Sequence, residues 1–296
     1  MKIGIVGSIN VDFVTVAKRI PFVGETIVGE TFQTVMGGKG ANVAVAIGRL
    51  GGNVAMFGAI GGDDFGQQAI NNFKENNVDT NCIATLENES TGTASITVAE
   101  GNNAIIVIGG ANDKIDENFI NTYEKQLEKC GIIGTQLEID PSAALWLSRF
   151  AKKNNIKFIF NQSPDKKYDK EIIKNATVII VNEIEINDIG GEKALASYPN
   201  KLILTEGDKG VRFHDGNKIV HTPTPKIKVV DTVGAGDTFM GSLIVKMSEG
   251  ATLEECIQFA TVAASLKCTK LGAQTAMPSR KEVDEKLKSQ NQTEDY

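Results

Sequence analysis

The sequence is poor in the residues that bind zinc. It contains two histidines, His214 and His221, and four cysteines among 296 residues. The cysteines are scattered, and no two of them form a CxxC pair. Zinc sites need several Cys or His ligands at short, regular spacings, so we expect no zinc site. The same scatter predicts reduced cysteines in or near cores rather than a disulfide framework.

Long runs of one kind of residue are also missing. Lys and Arg number 31 against 37 Asp and Glu, with a net charge of -6 and no long basic run. This argues against a nucleic-acid binder, which would present a basic face. No stretch of about 18 apolar residues, the length of a membrane-spanning helix, occurs. The apolar run at residues 3–7 is too short for a signal peptide, so we expect a cytoplasmic protein without nucleic-acid or membrane partners.

Short β-rich runs alternate with amphipathic helical stretches along most of the chain. This alternation is typical of βαβ units on a mostly parallel sheet covered by helices. Runs that are apolar throughout fit a sheet buried on both faces. We therefore predict one α/β domain over residues 1–296. The predicted strands include residues 54–60, 132–137, 156–160, 178–181 and 202–205, and the predicted helices include residues 65–76, 116–129, 141–154 and 168–175.

Two stretches depart from this alternation. Residues 10–36 carry β-type residues, Pro21 and several glycines but no helical period. Residues 91–108 predict two strands around a turn at residues 100–103. We predict that the two stretches together form a small β-sheet that stands off the main sheet and acts as a lid.

The most informative segment reads Asp-Thr-Val-Gly-Ala-Gly-Asp-Thr-Phe, residues 231–239, and precedes an apolar helical run. The small residues Gly234, Ala235 and Gly236 leave backbone N–H groups uncovered at the start of that helix. Such groups, together with the helix dipole, form an anion site. Asp237 would lie in the first turn and point toward the same space. The pattern taken alone fits a helix cap after a tight turn equally well.

A second small-residue segment, residues 36–42, also opens a predicted helix over residues 43–50. It is not a P-loop, because Gln33 stands where the motif needs its first glycine and Gly40 where it needs Ser or Thr. Its glycines would let a ligand approach the backbone closely. Lys39 and Asn42 would supply hydrogen-bond donors to hydroxyl groups.

Polar residues also follow the first predicted strand. Asn10 and Asp12 alternate along an extended chain, so their side chains face the same way. In open α/β sheets, ligands bind at the carboxyl ends of the strands. Both side chains could therefore grip neighbouring hydroxyls of a sugar, although Asn and Asp are also common turn residues.

Taken together, these segments resemble the ribokinase branch of the PfkB sugar-kinase family. Residues 37–42 and 231–239 are similar to its two signatures, and the similarity covers nearly the whole chain. The other matching segments are residues 7–12, 21–25, 90–92, 136–138, 182–185 and 272–274. The resemblance implies a ribokinase-like three-layer α/β/α sandwich with a β-sheet lid. It also implies an ATP-dependent carbohydrate kinase that forms a homodimer through its lids.

The resemblance implies a role for each site residue. Asp237 is the expected catalytic base, kept ionised by the helix N-terminus. The amides of residues 234–236 are the expected anion hole for the γ-phosphate of ATP. The expected sugar-binding residues are Asn10, Asp12, Gly38, Lys39, Asn42 and Glu138, together with Asp237. The expected nucleotide-binding residues are Asn182, Thr205, Gly207, Gly210 and Gly236, with Glu185 acting on Mg²⁺ through water.

A potassium site is implied as well. The expected ligands are the carboxylate of Asp231 and the carbonyls of Val233, Lys267, Lys270 and Gly272. The chain departs from the family at Ala276, where a serine near the ion is usual. Because carbonyl ligands do not depend on side-chain identity, we expect the site to persist and K⁺ to activate the enzyme.

The substrate is less constrained than the reaction. The predicted sugar-binding set holds one cation, Lys39, beside the carboxylates of Asp12 and Glu138, which suits a neutral, hydroxyl-rich ligand. D-Ribose, phosphorylated at its primary hydroxyl to D-ribose 5-phosphate, is the first candidate. The alternatives are a fructokinase, a nucleoside kinase, a 2-keto-3-deoxygluconate kinase, or a sugar-binding protein without catalysis. A dinucleotide-dependent dehydrogenase does not fit, because no GxGxxG follows the first strand.

Overall fold

The chain forms two β-sheets, one large and one small. The structure, a computed structural model, describes residues 1–100 and 102–294, so Gly101 of the predicted turn at residues 100–103 lies outside the described residues. Within these ranges the strands are β1 Ile3–Val6, β2 Asn10–Val16, β3 Thr31–Gly37, β4 Val54–Gly61, β5 Val78–Leu86, β6 Gly92–Ala99, β7 Asn102–Ile108, β8 Ile132–Thr135, β9 Lys157–Asn161, β10 Val178–Asn182, β11 Leu202–Thr205, β12 Val211–His214 and β13 Ile219–Thr222.

The helices lie between these strands, as the alternation predicts. Among the described residues they are α1 Lys39–Arg49, α2 Asp64–Glu75, α3 Glu117–Asn121, α4 Glu124–Leu127, α5 Pro141–Lys153, α6 Glu171–Asn175, α7 Lys193–Ser197, α8 Ala235–Ser248, α9 Leu253–Lys267 and α10 Arg280–Glu294. Short 3₁₀ turns connect several of them, including one at Glu185–Ile189 and one at Gln274–Ala276.

The large sheet has nine strands in the order β13-β12-β11-β10-β9-β8-β1-β4-β5. In this spatial order, every neighbouring pair between β11 and β5 is parallel. Strand β12 is antiparallel to β11, and β13 is antiparallel to β12. Strands β1, β4 and β8 are buried along their whole length. A strand buried on both faces has no polar face to present to water, which explains the unbroken apolar runs.

Each face of the large sheet carries a hydrophobic core. Alternation along β1 sends Ile5 into the core that contains residues of α1, α8 and α9. Val6 points the other way, into the core that contains Leu147 of α5 and Ile172 of α6. The predicted three-layer α/β/α architecture, with a mostly parallel central sheet, is confirmed.

The small sheet has four strands in the order β3-β2-β6-β7. Strands β2 and β6 are parallel, and the two outer pairs are antiparallel. These strands come from residues 10–36 and 91–108, so the predicted pairing of the two stretches is confirmed. Every residue of β7 is exposed, which makes this strand an open edge of the sheet.

One predicted helix is wrong as a single element. The stretch at residues 116–129 forms two short helices, α3 and α4, rather than one. The hydroxyl of Thr122 donates to the carbonyl of Phe119 at 2.7 Å. Side-chain bonds of this kind compete with the backbone ladder of a helix and favour its termination.

Two further observations concern the cysteines and the helices. All four cysteines, Cys82, Cys130, Cys256 and Cys268, are buried and free. None of the helices within the described ranges has the length and apolar character needed to cross a membrane.

Phe57 provides a test of the core. Its side chain is fully buried in β4 and meets the ring of Tyr123 edge to face. Replacing it with Ala leaves a large cavity, so we expect Phe57→Ala to lower the free energy of unfolding by about 3–5 kcal/mol. Phe22→Ala is the matched control, because Phe22 is 74% exposed; it should change stability by less than about 0.5 kcal/mol. Urea unfolding measures both, and equal losses for the two variants would contradict the burial described here.

Candidate active site

The carboxyl ends of four parallel strands bring the predicted site segments to one edge of the large sheet. Strands β1, β8, β10 and β11 run in the same direction. The residues that follow them therefore emerge on the same side, where open α/β sheets bind their ligands. These segments are residues 7–12 after β1, 136–138 after β8, 182–185 at the end of β10 and 205–210 after β11.

Asn10 is buried and held by a residue that the sequence did not identify. Its Oδ1 accepts a hydrogen bond from Nδ2 of Asn112 at 2.8 Å. Asn112, itself 2% exposed, also bonds the backbone N–H and carbonyl of Ile9 at 2.9 and 3.0 Å. This leaves the amide nitrogen of Asn10 as the end that can face a ligand, with its orientation set by Asn112.

Two glycines make room for Asn10 and Asp12. Gly38 has φ 88°, and a Cβ at this position would lie 2.7 Å from the backbone nitrogen of Asn10. A Cβ on Gly37 would lie 2.2 Å from a carboxylate oxygen of Asp12. At Gly38, where a Cβ would meet backbone and φ is positive, only glycine allows so close an approach, whereas a Cβ at Gly37 would displace the Asp12 carboxylate.

Glu138 closes the N-terminus of α1 from another part of the chain. Its Oε2 accepts the backbone N–H of Lys39 at 2.8 Å and the hydroxyl of Ser8. Gly38, the residue before the helix, has no side chain to cap it. Because Glu138 satisfies the first amide, α1 begins at Lys39, four residues before the predicted start at Val43.

Asp237 lies in the first turn of α8 and is 6% exposed. Its carboxylate accepts Nδ2 of Asn42 at 2.8 Å and Nε2 of Gln136 at 3.3 Å. Asn42 is oriented in turn by Gln274, whose Nε2 donates to Oδ1 of Asn42 at 3.0 Å. Among the buried side-chain atoms of the described residues, Oε1 of Gln136 has no hydrogen-bond partner. Asp237 therefore lies in a polar cluster that still has a free acceptor, Oε1 of Gln136.

Burial dominates the electrostatics of both site aspartates. Desolvation raises the pKa of Asp237, with Lys39 and the Asn42 hydrogen bond opposing the shift. Burial therefore opposes the ionisation that the helix N-terminus is expected to favour. Desolvation, together with the nearby charge of Glu138, raises the pKa of Asp12 to about 6. The neighbouring carboxylates of Asp12 and Glu138 accept hydrogen bonds, so this pocket favours a ligand whose hydroxyl groups donate them.

The loop before α8 has the shape expected of an anion site. Gly234 adopts a left-handed conformation with φ 79°, and a Cβ on Gly236 would meet nothing within 4 Å. The amide of Ala235 donates to the carbonyl of Thr232 at 3.1 Å, so it is partly engaged within the loop. The open face of the loop lies directly before Asp237, as the sequence pattern predicts.

Asn182 and Glu185 bond each other at the end of β10. Oδ1 of Asn182 accepts the backbone N–H of Glu185 at 2.9 Å, and Oε2 of Glu185 accepts the N–H of Asn182 at 3.0 Å. Glu185 is buried, and desolvation raises its pKa while Lys39 opposes that shift. These two hydrogen bonds hold the Glu185 carboxylate where the charge of Lys39 acts on it.

The turn after β11 contains the remaining nucleotide residues of the prediction. Gly207 is exposed with φ 58°, and a Cβ at this position would meet nothing within 4 Å. Gly210 is buried, and a Cβ there would lie 2.2 Å from the carbonyl oxygen of Thr222. The hydroxyl of Thr205 donates to the carbonyl of Val181 at 3.1 Å. Gly207 can face a ligand, whereas Gly210 and Thr205 shape the turn.

Asp231 and Lys267, two of the predicted potassium ligands, contact each other, so the Asp231 carboxylate already faces a cation of the protein itself. Lys267 is fully buried, and its Nζ donates to the carbonyl of Asp231 at 2.7 Å and lies 3.7 Å from the Asp231 carboxylate. The N–H groups of Val233 and Gly272 each bond that carboxylate at 2.9 Å. Burial lowers the pKa of Lys267, and the charge of Asp231 opposes the shift. The charge of Asp231 is thus matched by an ammonium, and these residues do not fit the K⁺ site implied by the resemblance.

The structure also shows which site residues were missed. Asn112, Gln136 and Gln274 orient Asn10, Asp237 and Asn42 from positions distant in the chain. Gln136 and Gln274 lie in segments that match the family, but nothing in the local sequence around Gln274 indicates a role. The position of Gln136, a polar residue directly after a buried strand, could have indicated its role, because buried polar side chains need hydrogen-bond partners.

These features define a class of protein. A small-residue loop at a helix N-terminus, a buried carboxylate beside it and a polar pocket at the carboxyl edge of the sheet are the parts of an α/β kinase that acts on a small molecule.

The family model for the pfkB family carbohydrate kinases matches residues 2–280, and the chain belongs to this family. The chain is 41% identical to a ribokinase of Lactococcus lactis subsp. lactis, over 97% of each protein. It is 40% identical to a ribokinase of Bacillus subtilis, over 97% of this chain and 99% of that protein. The structure of Arabidopsis thaliana ribokinase complexed with ribose and ATP matches with a TM-score of 0.89 at 32% identity, over 96% of this chain and 97% of that one.

The raised pKa of Asp12 predicts a dependence of stability on pH. Its pKa rises from 3.8 to about 6 on folding, so the folded state binds more protons and loses stability as the pH rises through this window. Asp12→Asn removes that loss. We expect its advantage over the unmutated protein to grow between about pH 4 and pH 6 and to reach about 3 kcal/mol. Denaturant unfolding across this range measures it, and an advantage that shrinks with rising pH would contradict the assignment.

Proposed function

We propose that this protein is an ATP-dependent kinase that phosphorylates the primary hydroxyl of D-ribose to give D-ribose 5-phosphate. The observation that carries the proposal is the position of Asp237, a buried carboxylate directly after the loop at residues 234–236. Amides at a helix N-terminus can hold a phosphoryl group while the carboxylate takes a hydroxyl proton. The ribokinases of Lactococcus and Bacillus, and the ribose and ATP of the Arabidopsis complex, support ribose as the acceptor.

The reaction joins the hydroxyl oxygen of the sugar to the γ-phosphorus and breaks the bond to the β–γ bridging oxygen. Asp237 orients the hydroxyl and accepts its proton, and ADP leaves with the electrons of the broken bond. The amides of residues 234–236 bind the γ-phosphoryl oxygens. Because the transition state is loose, alignment and charge stabilisation supply most of the rate. The raised pKa of Asp237 suits a base that must keep the proton after transfer.

The sugar is held by donors and acceptors from three parts of the chain. Asp12 and Glu138 accept hydrogen bonds from hydroxyls, while Lys39 and Asn42 donate them. The assigned sugar-binding residues are Asn10, Asp12, Gly38, Lys39, Asn42 and Glu138. With one cation among them, this set favours a neutral sugar over a phosphorylated or acidic one.

The nucleotide lies on the other side of the anion-binding loop in this proposal. The assigned residues are Asn182, Thr205, Gly207, Gly210 and Gly236. The carboxylate of Glu185, at the end of β10, offers the hard oxygen that Mg²⁺ prefers and reaches the ion through water. When bound, Mg²⁺ offsets the negative charge of the β- and γ-phosphates. We also place the protein in the cytoplasm, a compartment that suits four free cysteines.

A substrate panel tests the acceptor. ADP release is measured with ribose, fructose, adenosine and 2-keto-3-deoxygluconate under the same conditions, with ATP and Mg²⁺ present. We expect the highest kcat/KM for ribose. A higher kcat/KM for another compound would identify that compound as the substrate, while the proposed kinase activity would stand. Binding of ribose without ADP release from any sugar would identify a sugar-binding protein and overturn the proposed catalysis.

Asp237→Asn tests the catalytic role. The amide keeps the size of the carboxylate but cannot take a proton, so we expect kcat to fall by a factor of at least about 10² while sugar affinity stays largely intact. Asp215→Asn, on the exposed turn between β12 and β13, is the control and should keep the unmutated rate. Steady-state kinetics measure both. An Asp237→Asn enzyme with most of its kcat would remove this residue from the catalytic role.

We propose further that the small sheet is a lid and that it joins two copies of the chain. Ile96 pairs in register with Val14 and Ile105, so the three share one face of the sheet. Asp12 belongs to the same face, two residues before Val14. Ile105 is 51% exposed on the open edge strand β7. A face that runs from the sugar site to an exposed apolar edge can cover the sugar and also pair with a second lid.

Ile96→Asp tests the lid and the dimer together. A charge on the apolar face should weaken dimerisation and raise KM for the sugar, because the lid loses both its partner and its closed position. Ser95→Asp places the same charge on the opposite, exposed face and serves as the control. Sedimentation at about micromolar concentration, a range typical of specific association, measures assembly. A monomer in the unmutated protein would rule out the dimer.

A further inference from the structure

Lys267 ends α9 with its whole side chain removed from water. It is 0% exposed and stands among the largest fully buried side chains of the described residues. Its ammonium donates to the backbone carbonyl of Asp231 at 2.7 Å and lies 3.7 Å from the Asp231 carboxylate. A buried ammonium is strongly unfavourable unless it is paired and hydrogen-bonded, and Asp231 supplies both kinds of partner.

The carboxylate of Asp231 ties together two further segments. Oδ1 accepts the N–H of Val233, and Oδ2 accepts the N–H of Gly272, each at 2.9 Å. Both N–H groups of residues 230 and 231 donate to the carbonyl of Cys268. The end of α9, the segment after it and the start of the 231–237 loop are therefore joined around one ion pair.

This ion pair lies next to the phosphate-binding loop. The carbonyl of Thr232, which follows Asp231, accepts the N–H of Ala235 at 3.1 Å. The charges of Lys267 and Asp237 also act on each other across this region. A fixed positive charge at this position both holds the loop and favours negative charge on a phosphoryl group bound to it.

We propose that the Lys267 ammonium is a built-in cation that takes the place of a monovalent metal ion beside the anion-binding loop, so that phosphoryl transfer by this protein does not require K⁺. The proposal rests on the proposed kinase function. Lys267 is a positioning residue in this account, because it acts through Asp231 and the loop rather than by touching the substrate. In this proposal the Lys267 ammonium, which cannot leave the protein, replaces a K⁺ ion that would exchange with solvent.

The first test needs no mutation. The kinase rate of the unmutated protein is compared in K⁺ and in tetramethylammonium buffer at equal ionic strength. We expect the two rates to agree within about twofold, since the loop already has its cation. A rate that rises about tenfold or more with K⁺ would overturn the proposal, because an ion would then be supplying what we assign to Lys267.

The second test removes the charge. Lys267→Ala opens a space beside Asp231, so we expect at least about a tenfold loss of kcat in tetramethylammonium buffer and partial recovery with K⁺ or ammonium. Lys267→Met fills the space without charge and should lose activity with less recovery. Lys281→Met, at an exposed lysine of α10, is the control. A Lys267→Met enzyme with the full unmutated kcat would contradict a role for the charge.

Thermal unfolding separates this proposal from the proposed function. Independently of any activity, K⁺ should raise the Tm of Lys267→Ala and leave that of the unmutated protein unchanged, because only the variant has a vacant cation position. If the unmutated protein phosphorylates none of the sugars, the kinase proposal fails while this measurement still decides the role of Lys267. A Tm of the unmutated protein that rises specifically with K⁺ would contradict it. If both variants fail to fold, the K⁺ response of the unmutated protein decides alone.

Discussion

The buried carboxylate of Asp237 is the constraint on which the arrangement of the site depends. A carboxylate removed from water must be supplied with hydrogen-bond donors, or its ionised form becomes strongly unfavourable. Those donors come from α1, through Asn42, and from the end of β8, through Gln136. Two elements far apart in the chain must therefore approach the start of α8 at hydrogen-bonding distance. The same approach places Asn42, which we assign to the sugar, beside the start of α8, which we assign to the phosphate.

Close backbone contact makes this approach possible. A Cβ on Gly7 would lie 2.8 Å from Cα of Gly40, and a Cβ on Gly40 would lie 2.7 Å from Gly7. The end of β1 and the first turn of α1 thus touch backbone to backbone. Glu138 then closes the open end of α1 by accepting the amide of Lys39. Packing at glycines thus brings the chain after β1 against the first turn of α1.

Much of the fold and part of the site could be predicted from local sequence. Unbroken apolar runs indicated buried parallel strands, and the small residues 234–236 before an apolar run indicated the start of a helix. What could not be predicted depends on contacts across the fold. Asn112 bonds Asn10 from 102 residues away, and Gln274 bonds Asn42 across 232 residues. No local pattern encodes these pairs, because only the folded topology brings them together.

The contact between Lys267 and Asp231 is another feature that the local sequence does not encode. A resemblance places its backbone carbonyl in a cation site, yet its side chain is what the structure brings to Asp231. Side-chain direction at the end of a helix depends on what packs around it. Whether the carboxylate meets a solvent ion or an ammonium of the same chain is therefore decided by tertiary structure.

The central claim is that this site aligns one sugar hydroxyl with the γ-phosphate of ATP beside Asp237 and excludes water from the transfer. Phosphorus NMR of the products formed from ribose and ATP tests it most directly. We expect a single sugar phosphate, the 5-monoester, in equal amount to ADP. Inorganic phosphate in place of the sugar ester, or phosphorylation at the anomeric hydroxyl, would contradict it.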